Sequence, residues 1–350
     1  MYSETDLDNA VGAGVITRDA AEALRAHVSS LRAAPAVDEE QFRLLTGFND
    51  IFVAIAGVLL LVGLAWAGGD IHPGLGGALV AGASWGLSEY FTRVRRMALP
   101  SIIFLLAFVG GVFAAFAATL LGNDGHDQNQ VVGALFIAVS GAAAAGAAWL
   151  HWRRFMVPIT VAAGAAALTA TVIALVMAAA PGIERLIYPL MAASGIGVFI
   201  LAMRWDMSDT ERRTRRSDVA FWLHLLAAPM IVHPIFSQLG LLGGAPSSAA
   251  SAILVVALYV VLGFVALAID RRALMVSALA YVLFAVGTLF REFGAVGLNI
   301  ALTVMIIGSA LLLLSAFWQT ARAWVVGLLP GTIGGRLPPT GTLLIPRPAS

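Results

Sequence analysis

The sequence predicts an all-α fold: a polytopic transmembrane helix bundle of about ten spans, with a small cytoplasmic N-terminal helical hairpin. Three observations carry this expectation. The 350 residues are 60% hydrophobic and only 12% charged, with a mean hydropathy of +0.90, far from the ~25% charged residues of soluble domains. The apolar residues fall in runs close to the ~20 that cross about 30 Å of hydrocarbon as helix, the conformation that satisfies every backbone group within its own segment. All 21 basic residues are arginine, and with ten spans marked only Arg185 and Arg291 fall in the odd-numbered connections. By the positive-inside rule this asymmetry places both termini in the cytoplasm.

Residues 1–36 read as a cytoplasmic helical hairpin and linker. Thr17 is the expected N-cap of its second helix, with Asp19 in the first turn. Ala20, Leu24, His27 and Leu31 lie at helical spacing and form one apolar stripe. The unit is too small for a core of its own. Residues 37–50 are expected to form an interfacial helix leading into span one, capped by Asp38 with Gln41 three residues on, and carrying Phe42, Leu44, Leu45 and Phe48. Asn49 and Asp50 stand at the entrance as polar anchors.

Residues 51–320 form the expected bundle, with spans near 51–67, 74–92, 98–121, 131–150, 156–179, 184–203, 218–239, 249–269, 273–290 and 295–317. The high Gly and Ala content suits close helix packing through small residues, most clearly in Gly141–Trp149. Residues 321–350 read as a proline-rich cytoplasmic tail, with "LPPTGTLLIPRPAS" at its end expected to be extended or disordered. Paired arginines recur at Arg95–Arg96, Arg153–Arg154, Arg212–Arg213 and Arg271–Arg272, a step of roughly 59 residues of the kind internal repeats produce. Two spans with short loops have the same length, so duplication and plain spacing both account for it. The parity of ten spans also allows an inverted repeat of two halves.

The stretch "AGVITRDAAEALR" followed by about ten spans, with "FWQTARAWVVGLLP" (Phe317–Pro330) after the last, resembles the bacterial predicted membrane proteins grouped as domain of unknown function 2157. The resemblance implies a multi-span inner-membrane protein and carries no activity, cofactor or catalytic residues.

The candidate site begins in Phe221–Phe236, "FWLHLLAAPMIVHPIF", which holds His224, Pro229, His233 and Pro234. The two histidines are separated by about 900° of helix and about 13 Å of rise, so they do not share a metal. Each proline removes an N–H, freeing the carbonyls of Leu225 and Met230, and such helices kink. His233, with Ser237 and Gln238, would then line a polar pocket in the outer half of the bundle, and Asn299, at the outer end of span ten, is a further candidate to face it. His224 lies nearer the cytoplasmic interface, where water is available, so His233 is expected to matter more. Glu89, the acidic residue inside a span, is four residues before Arg93 and suits an ion pair with it; an intramembrane acid is also a transport candidate. Asp70, His72, Asp124, His126 and Asp127 are cation-ligand types in polar outer loops, where solvation accounts for them.

The composition also excludes. Without cysteine there are no disulfides or thiolate sites. No phosphate loop or nucleophile elbow is present. No metal or cofactor is expected, and the chain reads as a non-enzyme. Arg212, Arg213, Arg215 and Arg216 are expected to meet anionic lipid at the cytoplasmic surface rather than nucleic acid. The polar first 50 residues lack the form of a signal peptide. The absence of lysine fits a GC-rich bacterial genome, and the resemblance implies a bacterial inner-membrane location. The favoured function is a permease-like transporter of a small molecule; the alternative is a sensor or scaffold acting through the hairpin.

Overall fold

The computed structural model describes residues 4–31, 48–122, 129–209, 214–238, 249–272, 274–275, 279, 283, 299–331 and 337. Every element within them is helical. Outside the described residues lie the linker and most of the interfacial helix (32–47), Asp124, His126, Asp127, Arg212, Arg213, Arg291, nearly all of expected span nine and most of the tail. The described residues fall into two compact units, the N-terminal hairpin and the rest.

In the hairpin, α1 (Glu4–Gly12) meets α2 (Arg18–Leu31) through a left-handed Gly14 at φ 70°. Val15 N–H donates back to the Ala10 carbonyl at 2.9 Å, the six-to-one bond that closes a helix over a left-handed residue. Thr17 then caps α2, its Oγ1 accepting from Ala20 N–H at 3.2 Å.

The second unit begins with α3 (Phe48–Ile71), α4 (Leu75–Leu87), α5 (Ala98–Leu121), α6 (Gln130–Phe155) and α7 (Ile159–Ala179). It continues with α8 (Ile187–Met207), α9 (Arg215–Gln238), α10 (Ala249–Ile269), α11 (Asn299–Ala316) and α12 (Trp318–Gly327). Consecutive members of α3 to α9 pack on one another, and α9 also packs on α7. Among the described residues six helices are long and apolar enough to cross a membrane: α3, α5, α6, α7, α8 with its leading turn, and α9. The bent pair of α11 and α12 makes a seventh if counted as one span. Exposed Phe52, Leu59, Trp66, Leu168, Ile200 and Leu312 stud these helices, as lipid-facing surfaces require. The chain is a multi-pass helical membrane protein.

Three local features differ from the sequence expectation. First, α4 gives way to a π-helical turn at Ser88–Val94, where Arg95 N–H reaches back five residues to Tyr90 O. Second, α9 runs unbroken through Pro229 and Pro234. Each proline removes one bond, and α7 and α8 pack against the helix. Third, α6 and α8 extend past the expected span ends to Phe155 and Met207, which brings His151 and Asp206 into helix. The span near 295–317 ends in a sharp 75° bend into α12.

The arginine-rich turns share a device. Among the described residues, Arg96, Met156 and Asp270 are the non-glycine residues with positive φ, at 53°, 56° and 56°. The residue after each is buried: Met97, Val157 and Arg271. A left-handed cap turns the following side chain back onto the helix end, where an apolar residue normally sits. In the third turn that inward position holds an arginine.

Packing between α4 and α5 depends on missing side chains. A Cβ on Gly111 would lie 2.8 Å from the Gly77 carbonyl oxygen and 2.9 Å from Ala81 N. Backbone cannot move aside as a side chain can, so Gly111→Val is expected to cost about 1–3 kcal/mol. Thermal unfolding in detergent measures this; an unchanged midpoint would mean that the two backbones are not in contact.

Candidate functional site

The inward stripe of α8 runs Gly195, Val198, Ala202, Asp206, all buried at steps of three and four residues. On α9 the matching stripe passes through Ser217, Ala220, His224 and Ala227. Small residues bring the helices together: a Cβ on Gly195 would sit 2.9 Å from Met230 Cβ. Asp206 and His224 therefore meet in the interior, with exposures of 4% and 0%.

His224 Nε2–H donates to Asp206 Oδ2 at 3.0 Å. Arg271, 2% exposed, reaches in from the turn after α10. Its Nε donates to Asp206 Oδ2 at 3.1 Å, and its Nη2 donates to Oδ1 and, at 3.2 Å, to the Ser217 carbonyl. This fork-to-fork pairing fixes both the distance and the plane of the two groups. Phe199 stacks edge-on against His224 at 5.2 Å. Both carboxylate oxygens are thus engaged by the guanidinium, and the cluster is a buried ion-pair centre.

The preceding residue starts a second cluster. Asp270 Oδ1 accepts from Trp318 Nε1–H at 2.7 Å and lies 3.8 Å from Nε of Arg322. Arg322 is 1% exposed. Arg272 closes the set, its guanidinium 4.9 Å above the Trp318 ring. Asp270, Arg271 and Arg272 are consecutive, so one tight turn ties α8 and α9 on one side to α12 on the other. Beside it, Tyr259, Arg272, Ser315 and Trp318 line a cavity of about 130 Å³.

The residues expected from sequence are placed as follows. His224 joins the first cluster, although read as the lesser histidine. The expectation that it has water is corrected: it is fully enclosed, because α8 extends beyond its predicted end and covers it. His233 is half-buried, its ring 6.1 Å from Tyr188. Ser237 Oγ is buried without a hydrogen-bond partner, and Gln238 ends the helix exposed. Asn299 starts α11, and its side chain lies outside the description. Glu89 pairs with Arg93 at 3.3 Å, as its spacing implies, and also accepts both Nε and Nη2 of Arg154 at 2.7 and 3.0 Å. That ion pair is partly exposed, so it joins the π turn to α6 at an open surface.

Asp206, Arg271, Asp270 and Arg322 are the residues that sequence reasoning missed. Asp206 continues the small-residue stripe of α8, and that continuation was the available signal. A buried histidine, His151, was also passed over; it sits among Trp85, Phe108 and Phe155, with Thr160 Oγ1 3.4 Å from Nδ1.

The ranking of the two α9 histidines follows from enclosure. His224→Leu leaves one donor to the buried Asp206 unmade and is expected to cost roughly 1–3 kcal/mol; His233→Leu is expected to cost less. Equal melting temperatures for the two variants in detergent would contradict the geometry.

The chain matches no family model, no curated protein and no solved structure in the comparisons made.

Proposed function

We propose that this chain is a permease-like protein of the bacterial inner membrane, with about ten spans and both termini cytoplasmic. In this reading it is akin to the proteins of domain of unknown function 2157. The observation that carries the reading is the buried ionic cluster of Asp206, His224 and Arg271. Ionisable groups inside a membrane bundle are costly and cluster along substrate paths and moving elements. Here they sit where α8, α9 and the turn after α10 converge, beside a cavity. Glu89 and Arg154 form a second polar junction on the same arginine-rich side.

Flux tests this directly. The purified chain in proteoliposomes is expected to release small metabolites down a gradient, and Asp206→Asn to reduce that release at least tenfold while inserting normally. A panel that stays sealed with the parent would reject the permease reading. Threading is tested separately: reporters at Asp124 and Ser247 are expected to read the periplasm, and at Arg154 and Arg213 the cytoplasm. A periplasmic Arg213 contradicts ten spans.

A second reading, a sensor or scaffold, draws support from the hairpin forming a compact unit of its own. Deletion of residues 1–36 is expected to leave insertion and flux intact if the chain is a permease. Loss of a cellular response with flux unchanged would favour the sensor.

A further inference from the structure

The arginines of the third turn are unequally matched. Arg271 faces Asp206, and Arg322 faces Asp270. Arg272 stacks on Trp318, and among the described residues no carboxylate stands within ion-pair distance of it. Stacking uses the face of a guanidinium and leaves its N–H edge available for a planar acid. That residue lines the cavity of about 130 Å³ together with Tyr259, Ser315 and Trp318. Tyr259 Oη is buried with no hydrogen-bond partner. The remainder of the wall is apolar, from Leu279, Leu311 and Leu314 among others. The lining thus combines one cation and one unpaired hydroxyl with apolar side chains.

We propose that this cavity binds a small monocarboxylate, its carboxylate on Arg272 and Tyr259 Oη and its short apolar tail against the leucines. The proposal rests on the permease reading and names its substrate class. Size follows from volume. A cavity of about 150 Å³ holds a benzene-sized guest, so a tail of three to five carbons is expected to fill this one. A cationic site of this kind would also accept a lipid phosphate, and the nanodisc comparison separates the two.

The test is titration calorimetry of the full chain in neutral detergent with butyrate, hexanoate, octanoate and hexanol. Affinity is expected to rise about fourfold per added carbon up to hexanoate and then to level off. Hexanol is expected to bind at least tenfold more weakly than hexanoate. Arg272→Gln is expected to weaken hexanoate at least tenfold and leave hexanol unchanged; Tyr259→Phe weakens hexanoate severalfold. If Arg272→Gln does not fold, Tyr259→Phe and the hexanoate–hexanol pair decide the matter. No heat with hexanoate overturns the proposal, as does hexanol binding equally well. In nanodiscs, hexanoate affinity is expected to be the same with and without phosphatidylglycerol; displacement by that lipid would show a headgroup site and overturn it. Hexanoate binding without flux of any solute keeps the ligand class and rejects the permease, whereas flux of other solutes without hexanoate binding does the reverse.

Discussion

Replacing Asp206 by Ala is expected to destabilise the protein by about 3–5 kcal/mol, the cost of leaving a buried partner charge uncompensated. Arg271 is 2% exposed and holds both Asp206 oxygens through Nε and Nη2, so its charge cannot reach solvent without opening the turn. Asp206→Asn keeps the shape but still strands the guanidinium, and is expected to fall between Ala and the parent. The double variant Asp206→Ala with Arg271→Met removes both charges and is expected to recover much of the loss, because desolvation offsets most of a buried pair's attraction. Thermal unfolding of the four proteins in detergent measures the coupling. Additive losses in the double variant would mean that the two side chains do not form an isolated pair.

The second large effect is expected at Asp270. Its carboxylate faces the nearly inaccessible Arg322 and accepts from Trp318 Nε1–H, and its backbone is left-handed at φ 56°. Asp270→Ala removes the acceptor, the charge and one of the residues that tolerate that backbone, with an expected loss of about 3–5 kcal/mol. Asp270→Asn retains the acceptor and the backbone preference and is expected to cost clearly less. Because Trp318 is the first residue of α12, Asp270→Ala is also expected to loosen α12. Protease sensitivity after residue 318, alongside the melting temperature, reads this out. Equal losses for Ala and Asn would assign the whole effect to charge.

The helices were legible in the sequence because hydropathy and length act locally. The runs at 98–121 and 156–179 end close to α5 and α7. Membrane crossing follows from α3 and α5 to α9, whereas the turn-and-bend elements do not announce themselves. The π turn at Ser88–Val94 has no hydropathic signature, and just past the 75° bend at Phe317 Trp318 docks against Asp270, a residue 48 positions earlier.

The site was half legible for the same reason. His224 stood out as a polar residue in an apolar run. Its partners did not, because Asp206 lies beyond the hydropathic end of its span and Arg271 belongs to a pair that charge counting assigns to the membrane surface. Only packing shows that the residue after a left-handed cap points inward, so that Arg271 occupies the place of Met97 and Val157. The prolines of α9 drew attention toward His233, while Gly195 marks a close approach of α8 to α9 on the stripe that carries Asp206.

The most direct measurement uses the absence of cysteine from the chain. Ser315→Cys places a single thiol on the wall of the cavity beside Arg272 and Trp318. The thiol is expected to react with a membrane-impermeant maleimide in inverted membrane vesicles, where the cytoplasmic face is outward, and to be protected there by hexanoate. Reaction that hexanoate leaves unchanged, or labelling confined to the periplasmic face of right-side-out vesicles, would contradict a small-molecule site at the arginine-rich end of the bundle, which the proposed threading turns to the cytoplasm.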